Sequence, residues 1–393
     1  MPDVTPDEPP RPLSVVLFGY GLAGRVFHGP LLRATPALSL DAIVTSDPGR
    51  QTQARADHPT ADVLDSADDV WDRPFDLAVV ATANVTHVPL ATRSIEAGMS
   101  VVVDKPVGPT AASVRDLAEH ARANRVLLVP FHNRGLDSDF LTVLRHEDAI
   151  GTIHRFESRI ERFRLVPKGG WRDRAESDQM GGMLYDLGPH VTYQALRLLG
   201  PARQVAAAVR IVRPESVTDD DVVVTIWHES GAVSELTVSQ ASVFGQPRFT
   251  VLGTRGGLQV AASDSQEAVL AGGGDPAASG WGVEPAGTEA WAVDLRGRLG
   301  PLARSKRLRM VRGTVGAEAD GVRTARFERA ELDGRQHSPW VLQATVAPHA
   351  EGSTLAMGLH YGGSLFGPVL ERVLRDEIER SRRRLLDLVT ADR

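Results

Sequence analysis

The sequence predicts an α/β protein in two parts: a doubly wound parallel sheet, then an α+β domain built on a mostly antiparallel open sheet. Three observations predict it. Short apolar runs alternate with helical patterns over residues 13–150. A glycine cluster follows the first of those runs directly. The rhythm changes after Gly151, where strand-like segments follow one another with little helix between them. Strands spaced by helices build βαβ units, whereas strands in succession build antiparallel sheets.

The elements of the first part can be placed one by one. Leu13–Phe18 is a β-branched run, and residues 39–44, 77–82, 100–103 and 126–129 read as further short strands. The amphipathic stretches 88–97 and Ala111–Ala123 supply helices between them. In the second part, 152–163, 205–212, Asp221–His228, 233–241 and 249–252 read as strands, with one strong helix over 183–199. Glycine-rich 271–282 reads as a loop. From about residue 287 arginine, alanine and glycine dominate without a clean period, and 369–389 is helix-compatible. The resulting division is a disordered lead-in at 1–12, a nucleotide-binding domain at 13–134, an α+β domain at 135–290 for substrate and subunit contacts, and an atypical C-terminal region at 291–393, disordered or out of frame.

Composition narrows the function. A chain of 393 residues exceeds one typical core, which favours two domains. A net charge of −6 supplies no field for nucleic acid. With no cysteine, disulfides, zinc–thiolate sites and thiol nucleophiles are excluded. The acidic, proline-rich start lacks the form of a signal peptide, and no apolar run approaches the length of a membrane span, so a cytoplasmic protein is expected. No metal site is expected, because the histidines are scattered without an H-x-x-x-H pair.

Gly19-Tyr20-Gly21-Leu22-Ala23-Gly24 is a G-x-G-x-x-G that follows a strand and opens a helical pattern. That context marks a dinucleotide-binding Rossmann turn: Gly19 for the tight turn, Gly21 for close approach of the pyrophosphate, Gly24 for helix–strand packing. The alternative is a plain glycine-rich turn. Cofactor choice falls on the loop after the second strand, Thr45-Ser46-Asp47-Pro48-Gly49-Arg50. Ser46 and Arg50 suit the 2′-phosphate of NADP, which the loop favours. Asp47 is either the acid that would select NAD or the cap of the next helix.

Chemistry in such folds gathers at the carboxyl ends of the strands. Three segments fall there: 81–87 with Thr82, Asn84 and His87; Asp104-Lys105-Pro106; and Phe131-His132-Asn133-Arg134. Thr82, Asp104 and Asn133 are expected on the cofactor side. Burial of Lys105 would depress its pKa and let its charge polarise a substrate hydroxyl, although a solvated strand-end lysine is the commoner case. A fourth segment, 181–190, places Asp186 and His190 four residues apart, on one face of a helix. A capped helix with a satisfied histidine is the plain alternative.

Taken in order, GYGLAG, VVATANVTH, VVVDKP, FHNR and GGMLYDLGPH resemble the glucose–fructose oxidoreductase/inositol dehydrogenase (Gfo/Idh/MocA) family. Residues 137–140, 170–172 and 184–200 are most similar to its NADP-dependent scyllo-inositol dehydrogenase-like branch, and the likeness covers roughly residues 13–285. The resemblance implies hydride transfer between NAD(P) and a secondary alcohol or ketone of a sugar or inositol-like polyol. It matches Lys105, Asp186 and His190 to the family's catalytic residues. His190 would take the hydroxyl proton, Lys105 would stabilise the alkoxide, and Asp186 would orient His190 or relay the proton. It also implies that Asn84 and His87 line the nicotinamide ribose, that Trp171 and Arg172 close over cofactor or substrate, and that the open sheet face forms a homodimer or homotetramer. Competing expectations are a hydrolase or eliminase using bound NAD transiently, and a silent dinucleotide-binding regulator or scaffold. The sequence departs from the family at Asp104 (commonly Glu), Ala83 (commonly Pro) and Gly135 (often Arg), and most in the region after 287. A shifted reading frame and a divergent extension both account for that region.

Overall fold

Six strands, Leu13–Phe18 (β1), Leu38–Val44 (β2), Asp62–Leu64 (β3), Leu77–Val80 (β4), Ser100–Asp104 (β5) and Leu128–Phe131 (β6), form a parallel sheet in the order β3-β2-β1-β4-β5-β6. The computed structural model describes residues 11–164, 166, 179–284, 289–296, 305–317, 323–329, 340–349 and 352–361. The strand order reverses between β1 and β4, the place where a doubly wound sheet opens a crevice. The central strands are largely apolar, with Val15–Phe18 of β1 and Leu77–Val80 of β4 unbroken by polar residues, because helices cover both faces. Val16, Phe18, Val80, Val101 and Val103 pack with Ala91, Ile95 and Leu117, while Val15, Leu17, Ile43 and Val79 pack with Leu32 and Ala54 on the other side.

Helical turns connect these strands. Ala23–His28 is a wide π-type turn that runs into Gly29–Arg33 (α1); Pro48–Asp57 (α2), His87–Glu96 (α3) and Ala111–Ala123 (α4) follow. Thr110 caps α4 through a reciprocal pair with Ser113. The strand expected at 126–129 lies two residues later, at Leu128–Phe131, and contains Pro130. Proline is tolerated there because β6 is an edge strand and needs no donor on its free side.

Beyond β6 lie Ser138–Ile150 (α5), Ile153–Glu161 (β7), Met183–Asp186 (α6), Gly188–Leu199 (α7), Ala202–Arg210 (β8), Asp221–His228 (β9), Val233–Ser239 (β10), Phe249–Gly253 (β11), Gly257–Val260 (β12) and Gln266–Ala271 (α8). Strands β8, β9 and β10 pair antiparallel, but β10 pairs parallel with β7, so this sheet is mixed. The single helix expected over 183–199 is two helices. Pro189 supplies no N–H to the turn before it, and the second helix restarts with proline in its first turn.

By contacts among residues, the chain divides into two compact units that do not follow sequence order. One compact unit holds 1–145, 154–248 and 263–284, and the other holds 146–153, 249–262 and 285–393. The backbone passes from one unit to the other within α5 and again at the start of β11. The described residues after 288 are strands. Glu289–Arg296 (β13), Ser305–Ala317 (β14), Arg323–Arg329 (β15), Trp340–His349 (β16) and Gly352–Tyr361 (β17) form an antiparallel run, each strand pairing with the next. Residues 1–10 of the expected lead-in and the expected helix at 369–389 lie outside the described residues. No helix among the described residues is long and apolar enough to cross a membrane.

Candidate active site

The glycine turn is lodged between strand ends. Gly19 takes φ +94, a conformation open to glycine, and its N–H donates to the Val44 carbonyl at 2.9 Å. A Cβ on Gly19 would lie 2.5 Å from the Ala81 carbonyl oxygen, and one on Gly24 would lie 2.0 Å from the carbonyl oxygen of Gly19. Only hydrogen fits at either place, so the helical turn seats directly on the ends of β1 and β4. Leu22 is exposed and Ala23 half-buried along the rim. Arg50 extends its guanidinium to 3.8 Å from where a Gly21 side chain would begin, and Ser46, four residues earlier in the same loop and helix start, is exposed. Asp47 proves to be the cap of α2: its carboxylate accepts the Arg50 N–H at 2.9 Å. Together these residues form a side-chain-free cradle at the crevice of the sheet with a cation at its edge, which fits a dinucleotide phosphate.

The segments at the ends of β4 and β5 have more varied roles than expected. Lys105 donates to the Asp186 carboxylate at 2.9 Å and to the Asp186 backbone carbonyl. Asp104, expected on the cofactor, instead accepts from His28 Nε2 at 2.7 Å. That bond ties the end of the wide turn to the end of β5. His87 is fully buried, with ring nitrogens 2.8 Å from the Pro106 carbonyl and 3.2 Å from the Thr82 carbonyl. Its expected place along a ribose is therefore corrected: carbonyls face both nitrogens, and the ring braces the segment that carries Lys105. Asn84 donates to the Met180 carbonyl at 3.0 Å and so anchors the loop before α6. The Thr82 hydroxyl lies 2.7 Å from that of Thr86. Asn133 begins a short turn and is half-buried. Trp171 and Arg172 lie outside the described residues.

Helix α6 is set by Asp219, whose carboxylate accepts the Leu184 N–H at 2.7 Å and whose carbonyl accepts the Met183 N–H. Tyr185 donates to the Pro109 carbonyl at 3.1 Å, so α6 meets the Lys105 segment at two points. The break at Leu187 alters the expected geometry. Asp186 ends one helix with its carboxylate on Lys105, and His190 sits in the first turn of the next. His190 is 4% exposed, and its Nδ1 is buried without a hydrogen-bond partner among the described residues. Burial first, then the charges of Lys105 and Arg134, hold the His190 pKa well below the usual histidine range. The ring is therefore neutral near pH 7 and able to accept a proton.

A second polar cluster supports α7. Arg248 donates to Ser158 at 2.7 Å and to the Gln194 side-chain oxygen at 2.8 Å, and lies 3.3 Å from Asp139. Gln194 in turn donates to the Arg134 carbonyl at 2.9 Å. Arg134 pairs with Asp137 at 3.1 Å and Glu267 at 2.8 Å. Sequence reasoning missed His28, His87's bracing role and Arg248. The signal for Arg248 was a lone arginine beside an apolar strand start, which sequence cannot distinguish from a surface charge.

These features define a dinucleotide-binding enzyme class, with a phosphate cradle and a lysine–carboxylate pair beside a neutral imidazole at the strand ends. Comparison with known proteins agrees. Residues 13–132 match the model described as oxidoreductase family, NAD-binding Rossmann fold, and residues 142–259 match the GFO/IDH/MocA C-terminal domain. The chain is 34% identical over 275 residues to the uncharacterized oxidoreductase YdgJ of Escherichia coli (strain K12), covering 69% of this chain and 78% of that one. It is 31% identical to scyllo-inositol 2-dehydrogenase (NADP(+)) IolW of Bacillus subtilis (strain 168), covering 69% of this chain and 75% of that one. The solved structure of the putative oxidoreductase yvaA from Bacillus subtilis superposes with a TM-score of 0.69 at 28% identity, over 76% of this chain and 84% of that chain. The chain belongs to the Gfo/Idh/MocA family of oxidoreductases.

Proposed function

We propose that the protein is an NADP-dependent dehydrogenase or reductase acting on a secondary alcohol, or the matching ketone, of an inositol-like polyol or sugar. The observation that carries this reading is the Lys105–Asp186 pair at the end of β5, next to a buried His190 whose ring nitrogen has no partner among the described residues. The name of the relative IolW supports both the substrate class and NADP. The bound nicotinamide would supply the hydride acceptor or donor. Lys105 holds the substrate oxygen and stabilises its negative charge as the proton leaves. His190, neutral because it is buried, takes that proton. Asp186 fixes the Lys105 ammonium and offsets its charge until substrate arrives.

Arg50 beside the Gly21 backbone supports NADP, and engagement of Asp47 as a helix cap leaves it poorly placed to select NAD through the ribose hydroxyls. The test is a fluorescence titration with NADPH and NADH, followed by turnover of a panel of inositols and aldoses. Arg50→Ala should weaken NADPH binding by about 10-fold and leave NADH unchanged, as loss of one charge-assisted contact does. Equal affinity of the wild type for both cofactors would overturn the NADP assignment. Absence of turnover on every polyol and sugar would overturn the substrate class.

A further inference from the structure

His132 has no part in the mechanism above, yet three observations place it at the reacting centre. The first is register. Asp104 and Phe131 are the last partners of β5 and β6, so Lys105 and His132 are the next residues on adjacent parallel strands. They leave the sheet side by side at its carboxyl edge, where substrate binds in this architecture.

The second is packing. The His132 ring stacks on Tyr193, with centroids 4.5 Å apart and planes 8° from parallel. Tyr193 lies one turn after His190 on α7, and residues three apart share a helix face. The stack therefore brings His132 to the face that carries His190. Tyr193 can lie this deep because residue 135 is glycine; a Cβ there would come within 2.5 Å of the tyrosine ring.

The third is an unmet hydrogen-bonding capacity that the two histidines share. Nδ1 of His132, like Nδ1 of His190, is buried with no partner among the described residues. A buried polar atom left unpaired costs stability and calls for an explanation, of which a ligand is one. The Lys105 charge acts on both rings and helps to hold both pKa values below the usual histidine range, after burial itself. Two neutral imidazoles beside one ammonium form a set with more polar contacts than a lone hydroxyl can satisfy. A second hydroxyl on the carbon next to the reacting one would use the third.

We propose that His132 contacts the substrate, hydrogen-bonding the hydroxyl adjacent to the one that is oxidised, so that the substrate is a vicinal diol or the corresponding α-hydroxy ketone. The proposal rests on the oxidoreductase reading given above and adds a specificity-determining residue to it.

The experiment compares kcat/KM for scyllo-inositol with that for the cyclohexanetriol whose hydroxyls alternate with methylenes, in the wild type and in His132→Phe. The phenylalanine preserves the stack on Tyr193 and removes both nitrogens. The wild type should prefer the inositol by at least about 10-fold, and His132→Phe should lower its kcat/KM by on the order of 10- to 100-fold. The triol's kcat/KM, or its inhibition constant if turnover is too slow, should be unchanged by the substitution, and so should NADPH affinity. A wild type that uses both compounds equally well overturns the proposal without recourse to any variant. So does an equal fall for both compounds, or no fall for the inositol. No turnover of any polyol by the wild type would overturn the oxidoreductase reading and this proposal together.

Discussion

Helix α7 contributes side chains to two polar clusters of different character, Gln194 to the first and His190 to the second. On one side, Arg248, Asp139, Gln194, Ser158 and Arg134 pair with one another through hydrogen bonds and ion contacts of 2.7–3.3 Å. On the other, Lys105 is paired with Asp186, but His132 and His190 each keep a buried ring nitrogen with no partner among the described residues. Arg248, Asp139, Gln194 and Ser158 are buried, whereas Lys105, Asp186 and His132 are half-buried beside the buried His190, so the two clusters differ in exposure as well as in the matching of partners. The matching is not complete on the first side either, where Arg134 Nε is buried with no hydrogen-bond partner among the described residues. The two clusters therefore differ in degree: side-chain pairs dominate the first, whereas in the second both imidazoles keep an unpaired nitrogen that a ligand would complete.

The comparison breaks if substitutions on the two sides have similar effects. The largest expected effect on rate lies on the unmet side: His190→Ala should lower kcat, measured where the variant is folded, by about 10²- to 10⁴-fold, the usual contribution of a general base. On the matched side, Arg248→Met leaves Asp139 buried without its cation and should cost about 3–5 kcal/mol of stability, read by urea unfolding. Its kcat, measured where the variant is folded, should fall far less than that of His190→Ala. A kcat loss for Arg248→Met equal to that of the His190 variant would erase the distinction.

Acidity sharpens it further. Burial holds His190 and His132 below the ordinary histidine range in the folded protein, whereas in the unfolded chain they protonate near pH 6.5. Between the folded and unfolded values the unfolded chain binds more protons, so stability falls as pH drops below about 6.5 and is complete above it. Asp137, which burial pushes up to about 7, acts with the opposite sign in the same range, so the test is the difference between proteins. The change in unfolding free energy from pH 7.5 to pH 5.5 should be less destabilising in His190→Phe than in the wild type. The acid limb of kcat/KM should likewise lie below pH 6.5.

Much of this arrangement was legible in the residues, because short-range rules govern it. Leu13–Phe18, Ala111–Ala123 and Asp221–His228 lie where periodicity placed them, and the glycine turn sits at the strand end its spacing required. Lys105 was visible as a lysine ending an apolar strand before proline. The less legible parts depend on partners distant in sequence. Nothing near residue 104 reveals that Asp104 bonds His28, and nothing near residue 87 shows that its ring is enclosed by carbonyls. Pro189 marked the break between α6 and α7, but the stronger apolar period around it concealed the mark. In the C-terminal strands the period of two was present, with Leu355, Met357, Leu359 and Tyr361 alternating along β17, but small residues and glycine between them masked it.

The most direct test of the account is Lys105→Met, examined by NADPH titration and by steady-state turnover of a polyol substrate. NADPH affinity should stay within about twofold of wild type and turnover should fall by about 10²- to 10³-fold, because the lysine stabilises charge that develops only on the substrate oxygen. Turnover close to that of the wild type would contradict it.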